Sequence, residues 1–437
     1  MLVTALAVLA LALAPGCGSP QVVNDMSSLG FGPVIENPGE EPAKDFSARY
    51  WNRKALSLFN GRVFTDPNTA LEWLQKAVDT DPDYVIAWVN KGLLRLSTAQ
   101  VELALQDFDR AVGLDPEYAP AYYHRARAYE ALKWYKLALY DLDKVVELEN
   151  RVPAIYYHRG RMHIELGHED EAIANFSTTI DMDPSMTKAY LARARAYLEK
   201  DEYENGMRDF NEAISLEPDS PETRMQKAAA NEGLERFEEA IDDYSETIRA
   251  FPEYVPAYLK RAELYVDSFR YEDAMADAEK ALEYEPSSYL GHYYRGVALH
   301  ELGNYEEARR EYVAAVRVAP RFIDAVIRLG DTYLELNDYR QAAAYYADAV
   351  RRSPRNARAH FNLGNAFDRM FLLEKAVAEY SAALDINPFY ARAYYNRGLV
   401  YKTLGQPDLA CQDLKKACVG GLCKALNDNL ADGYCSP

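Results

Sequence analysis

Three arginines, Arg127, Arg161 and Arg195, recur at intervals of 34 residues, and four cysteines, Cys411, Cys418, Cys423 and Cys435, crowd the end of a 437-residue chain. A guanidinium fork matches a carboxylate in bidentate geometry, so an arginine strip in a chain of net charge −19 would dock an acidic peptide or C-terminus. The plainer alternative pairs each arginine with a glutamate one turn on, at Glu130, Glu165 and Glu199. The cysteines admit three disulfide connectivities, with a four-cysteine zinc site, lacking paired C-x2-C spacing, and free core thiols as the alternatives. His124 and His158 also stand 34 apart, without a third ligand at metal spacing. No phosphate-binding glycine loop, H-E-x-x-H or G-x-S-x-G occurs, so no enzyme, cofactor or metal is expected.

The elements that must position these residues follow from the same period. Pro82, Pro116, Pro184, Pro218, Pro252, Pro286, Pro320, Pro354 and Pro388 lie on one 34-residue ladder, broken at Asn150, after which Pro153 can begin the next helix. Between the prolines, small residues such as Gly92, Gly160, Gly330 and Gly364 precede alanines and then an aromatic, such as Phe108, Phe176, Tyr346 or Tyr380. Small side chains let two helices approach closely, and the aromatic fills the gap toward the next unit.

This pattern resembles the tetratricopeptide repeat (TPR) family. The resemblance implies an all-α, right-handed α-solenoid of about eleven helix-turn-helix units over residues 47–422, with a capping helix and Cys-rich tail over 423–437. It also implies that first helices line a concave groove, with Tyr123, Tyr157, Tyr293, Phe361 and Tyr395 forming an apolar stripe beside Arg127, Arg161 and Arg195. That stripe suits an extended peptide or a helix, and part of it can equally be core. Basic residues at the seventh position of eight of the ten repeats from 2 to 11 point to a solvent or inter-helix role. The two-carboxylate clamp of some family members needs a lysine at the fifth position, which no repeat has. If the cap packs antiparallel on the last helix, Cys418 meets Cys423 and Cys411 meets Cys435, and the end of the stack is closed against fraying.

Residues 1–17 contain an uncharged apolar run, too short to span a bilayer and of signal-peptide length, ending in Leu-Ala-Pro-Gly-Cys17. That ending resembles a lipobox, which implies export, diacylation of Cys17 and anchoring at the bacterial envelope, with Gly18 pointing to the periplasmic side of the outer membrane. Residues 18–46 mix Gly, Pro, Ser and acids as a flexible tether. With 68 Asp and Glu against 49 Lys and Arg, the surface disfavours nucleic acid. The expected function is a protein-interaction scaffold or assembly factor in the envelope that binds a peptide or partner helix; the alternative is recognition of a glycan or cell-wall ligand by the tyrosine-rich groove.

Overall fold

The computed structural model describes residues 47–432 together with 434 and 435. The leader, the tether and Cys17 lie outside these residues. The chain divides into two compact units, Met1–Arg236 and Phe237–Pro437.

The first unit holds α1 (Ala48–Leu56), α2 (Pro67–Thr80), α3 (Val85–Ser97), α4 (Val101–Leu114), α5 (Ala119–Ala131), α6 (Tyr135–Leu148), α7 (Pro153–Glu165), α8 (Glu169–Met182), α9 (Thr187–Glu199), α10 (Tyr203–Leu216) and α11 (Pro221–Gly233). The second holds α12 (Phe237–Ala250), α13 (Val255–Asp267), α14 (Tyr271–Tyr284), α15 (Tyr289–Glu301), α16 (Tyr305–Val318), α17 (Ile323–Glu335), α18 (Tyr339–Arg352), α19 (Ala357–Arg369), α20 (Leu373–Ile386), α21 (Ala391–Thr403), α22 (Pro407–Val419) and α23 (Lys424–Ala431). Within each unit consecutive helices pack in pairs, and each pair stacks on the next. Among the described residues the one β-type pairing is an isolated bridge between Phe59 and Phe64, in the long turn between α1 and α2.

Punctuation between helices repeats. Most second helices end just before the ladder proline, and at Asp81, Asp115, Asp183 and Asn387 the side-chain oxygen accepts from the backbone N–H two residues on. The turn from first to second helix is closed by a residue in the left-handed region, and here glycine is often absent. Ala99, Lys133, Asp201 and Glu235 in the first unit, and Phe269, Asn337 and Phe371 in the second, hold φ between 57° and 64°. A left-handed residue at a helix end lets backbone N–H groups reach the last carbonyls, as Gln100 N does to Arg95 O.

The core follows the small-and-aromatic pattern with one difference. The aromatic at position 24 does not chiefly fill a gap toward the next unit; it lies over the glycine of its own repeat. A Cβ placed on Gly92, Gly160, Gly330 or Gly364 would come within 2.7 Å of a ring carbon of Phe108, Phe176, Tyr346 or Tyr380. These rings are all buried.

The seventh-position basic residues bind the two helices of one repeat together. Arg125 meets Asp141, Arg193 meets Asp209, Arg261 meets Asp277 and Arg397 meets Asp413, always 16 residues on and through two guanidinium nitrogens. Each carboxylate is nearly buried, which makes these pairs a structural rung rather than a solvated face.

Candidate functional site: a polar pocket in the last two repeats

The fifth-position residues do not form a continuous open stripe. Tyr123 is fully buried and Phe361 nearly so, while Tyr157, Tyr293 and Tyr395 are partly exposed. Tyr293 is packed against Tyr294, Tyr312 and Phe322. The stripe is thus divided, with Tyr123 and Phe361 in the core and Tyr157, Tyr293 and Tyr395 keeping part of their surface.

The arginine strip separates as well. Arg127 is only 8% exposed; its Nε lies 3.1 Å from Glu130 Oε2, and its Nη1 is 3.4 Å from His158 Nε2. Arg161 reaches back to the same Glu130, 2.7 Å away, rather than forward to Glu165, and stays 42% exposed. Arg195 is exposed and donates to Gln226 Oε1 at 2.7 Å rather than to Glu199. Glu130 therefore gathers two guanidinium groups and His158, and its contacts hold its carboxyl down at about 2 against the pull of burial. Burial takes His158 down to about 4, with Arg127 helping, and His124 down to about 3. His124 stacks on Phe108, and neither of its ring nitrogens has a hydrogen-bond partner among the described residues.

A general rule underlies these contacts. The ninth-position side chain of one repeat meets the sixth-position side chain of the next, 31 residues on: Arg127 with His158, Arg195 with Gln226, Asp331 with Asn362, Asn365 with Asn396. Ala192 breaks this ladder after Arg161, which is why that arginine remains open. The acidic end of the groove is similarly occupied, since Glu301 pairs with Arg328 and Asp331 with Arg358.

A polar site lies against α17, α19 and α21. An open pocket of about 580 Å³ is lined by Asp331, Arg358, Phe361, Asn362, Asn365, Tyr390, Arg392, Tyr395, Asn396 and Leu422. Asp331 Oδ1 accepts from the Tyr346 hydroxyl at 2.6 Å and from Asn362 Nδ2 at 2.8 Å, while its Oδ2 lies 3.1 Å from Arg358 Nη2. Asn365 Oδ1 accepts from the Tyr380 hydroxyl at 2.8 Å and from Asn396 Nδ2 at 2.7 Å. Burial pushes the Tyr380 phenol up, so it stays a donor and fixes which end of the Asn365 amide faces it. The Asn365 amide NH2 and the Asn362 and Asn396 carbonyl oxygens make no hydrogen bond among the described residues. Arg392 is exposed and forms no ion pair among them either. The pocket thus offers fixed donors, fixed acceptors, one uncommitted positive charge and aromatic walls. Phe361 and Tyr395 are the groove residues expected from sequence that it brings together; Arg358, Arg392 and the three asparagines are additions, whose signal was their recurrence at the second, sixth and ninth positions.

At the chain's end the structure joins Cys411 to Cys435 and Cys418 to Cys423, with α23 lying on α22 through Leu414, Ala425 and Leu426. Among the described residues no group of three His, Cys, Asp or Glu side chains is placed to hold a metal ion.

Tetratricopeptide repeat family models match residues 52–119, 157–221, 191–255, 259–321 and 327–390, with further repeats at 119–151 and 379–412. No curated protein matches the chain. Among solved structures it is similar to MamA, at 24% identity over 36% of this chain and 91% of that one, with a TM-score of 0.34. It is similar also to YrrB, described as a TPR protein with an unusual peptide-binding site, at 25% identity over 40% and 91%, with a TM-score of 0.35. The Cut9–Hcn1 complex matches over 91% of this chain and 97% of the other at 14% identity and a TM-score of 0.46. At these scores the likenesses add nothing to what the helices and the period establish, and the period, the helix pairs and the family models together place this chain in the tetratricopeptide repeat family, a repeat scaffold of the protein-interaction type.

Proposed function

We propose that the protein is a non-catalytic binding scaffold that holds an extended peptide segment of a partner in the pocket between α19 and α21. The observation that carries this reading is the pairing of Asn365, with a free amide NH2, and Asn362 and Asn396, with free carbonyl oxygens, on one open wall. A peptide backbone presents C=O and N–H groups in alternation, and such a wall satisfies both without reading the side chain. Phe361, Tyr390 and Tyr395 give the segment apolar contact, and the uncommitted Arg392 favours a peptide carrying a carboxylate nearby. Arg161 and Arg195, the open members of the arginine strip, are a second contact for the same acidic class of partner.

The reading extends to location. The lipobox-like ending at Cys17, followed by a tether, supports export and lipid anchoring in a bacterial envelope, and two disulfides in the last repeat fit an oxidising compartment.

Selection of random peptides on the full chain tests the function. Peptides should be enriched that bind the native protein and lose at least tenfold in affinity to the Asn365→Leu variant. Enriched peptides that bind this variant equally, or a failure to enrich any, would remove the pocket from the account.

A further inference from the structure

The outer face of α6 exposes more large apolar side chains than those of α4 and α8, and it is the one of the three that includes aromatics. A second helix of a repeat buries one face and is expected to give the other to water. Helix α6 buries Ala138, Leu142 and Val145, as it should, yet its opposite face exposes Leu137 at 47%, Tyr140 at 60% and Leu148 at 41%, with the capping Trp134 at 51%. Trp134 and Tyr140 stand where the preceding repeat has Gln100 and Gln106 and the next has His168 and Ala174, whereas Leu137 and Leu148 have exposed counterparts in Leu103 at 40% and Met182 at 36%. From Trp134 to Leu148 the stripe runs about 21 Å at the rise of an α-helix. Its spacing of three, three and eight residues is that of one helix face.

Charge at the start of this stripe is also reversed. Lys133 and Lys136 are exposed and make no ion pair among the described residues, in a chain of net charge −19. At the position of Lys136 the preceding repeat has Glu102 and the following one has Asp170. An apolar stripe of helical spacing with lysines at one end is complementary to an amphipathic helix whose apolar side is bordered by carboxylates.

We propose that the outer face of α6 is a docking surface for an acidic amphipathic helix of a partner protein, with Trp134 and Leu137 as its apolar anchors and Lys133 and Lys136 meeting the partner's carboxylates. This surface is separate from the pocket in the second unit, so the two interactions stand or fall independently. Tryptophan and tyrosine supply large contact area at low cost in side-chain entropy, and they are the residue types that dominate binding energy at protein interfaces.

The test is a fluorescence-anisotropy titration of the full chain with a labelled 21-residue amphipathic peptide of leucine and glutamate, and with its leucine–lysine counterpart. The acidic peptide should bind at least tenfold more tightly than the basic one. Leu137→Glu, an exposed change checked for folding by circular dichroism, should weaken it at least tenfold, and Lys133→Glu with Lys136→Glu should abolish the preference for the acidic peptide. Equal binding of the two peptides, no binding of the acidic one, or binding indifferent to Leu137→Glu would overturn the proposal. So would self-association in sedimentation that Leu137→Glu abolishes, which assigns the face to a second copy, or co-sedimentation with phosphatidylcholine–phosphatidylglycerol vesicles that Leu137→Glu abolishes, which assigns it to a membrane.

Discussion

Gly330 shows how little freedom the core of a repeat has. A Cβ there would stand 2.6 Å from Tyr346 Cε1, and the ring cannot swing aside freely because its hydroxyl donates to Asp331 at 2.6 Å. Gly330→Ala is therefore expected to cost about 1–3 kcal/mol by overpacking. Gly113, on the open side of α4 with nothing within 4 Å of the same Cβ, should respond oppositely, with Gly113→Ala adding about 0.5–1 kcal/mol through helix propensity. Chemical denaturation of the two variants checks the pair, and a Gly330→Ala protein as stable as the native one would contradict the packing. At Phe371 strain rather than space decides. It holds φ 57° while 83% exposed, so Phe371→Gly should stabilise by about 1 kcal/mol, read as a raised melting temperature. The glycine and aromatic positions were legible in the sequence because size alone marks them. The left-handed turn residues were not, because Ala99, Lys133 and Phe371 carry no glycine to announce the turn.

The helices themselves follow from the 34-residue period, since the ladder prolines mark most second-helix ends and the small residues mark the contacts within a repeat. What joins them is harder to read. The seventh-position basic residues stand out in the sequence, but their partners lie 16 residues away across a turn, and only the antiparallel register brings Arg261 to Asp277. One member of the arginine strip was misleading for the same reason: Arg127 looks like Arg161 until the 31-residue contact to His158 places it in the core. That core cluster makes α5 and α7 acid-sensitive. His124 and His158 have folded values depressed to about 3 and about 4 from an ordinary 6.5, so the unfolded chain binds more protons across that window. The stability they confer by staying neutral is present above about pH 6.5 and is lost as pH falls toward 4; Glu130, depressed to about 2 from 4.5, extends the loss in the same direction below about pH 4.5. Hydrogen-exchange protection factors in α5 and α7, taken relative to the intrinsic rate at each pH, should fall over this range, and His124→Leu should blunt the change. The last two helices carry a different constraint. Opening the Cys411–Cys435 loop, whose ends are 24 residues apart, removes roughly 3–4 kcal/mol by chain entropy. A Cys411→Ser, Cys435→Ser protein should lose exchange protection in α22 and α23 while α12 to α18 keep theirs.

At the scale of the whole chain, the repeat number, the all-helical class and the capping helix were open to reading, because a one-dimensional stack writes its architecture as a period. The pocket was half legible: Phe361 and Tyr395 lie at positions the family's groove implies, whereas the roles of Asn362, Asn365 and Asn396 depend on which amide oxygen each neighbour already occupies. The central claim is that this pocket holds a protein segment. Its most direct measurement places a photo-crosslinking residue at Tyr395 in the full chain, in the cell that makes it, and identifies the adduct by mass spectrometry. The account predicts a crosslink to an extended peptide segment, lost when Asn365→Leu is added. A crosslink to a carbohydrate, or a protein adduct unchanged by Asn365→Leu, would contradict it.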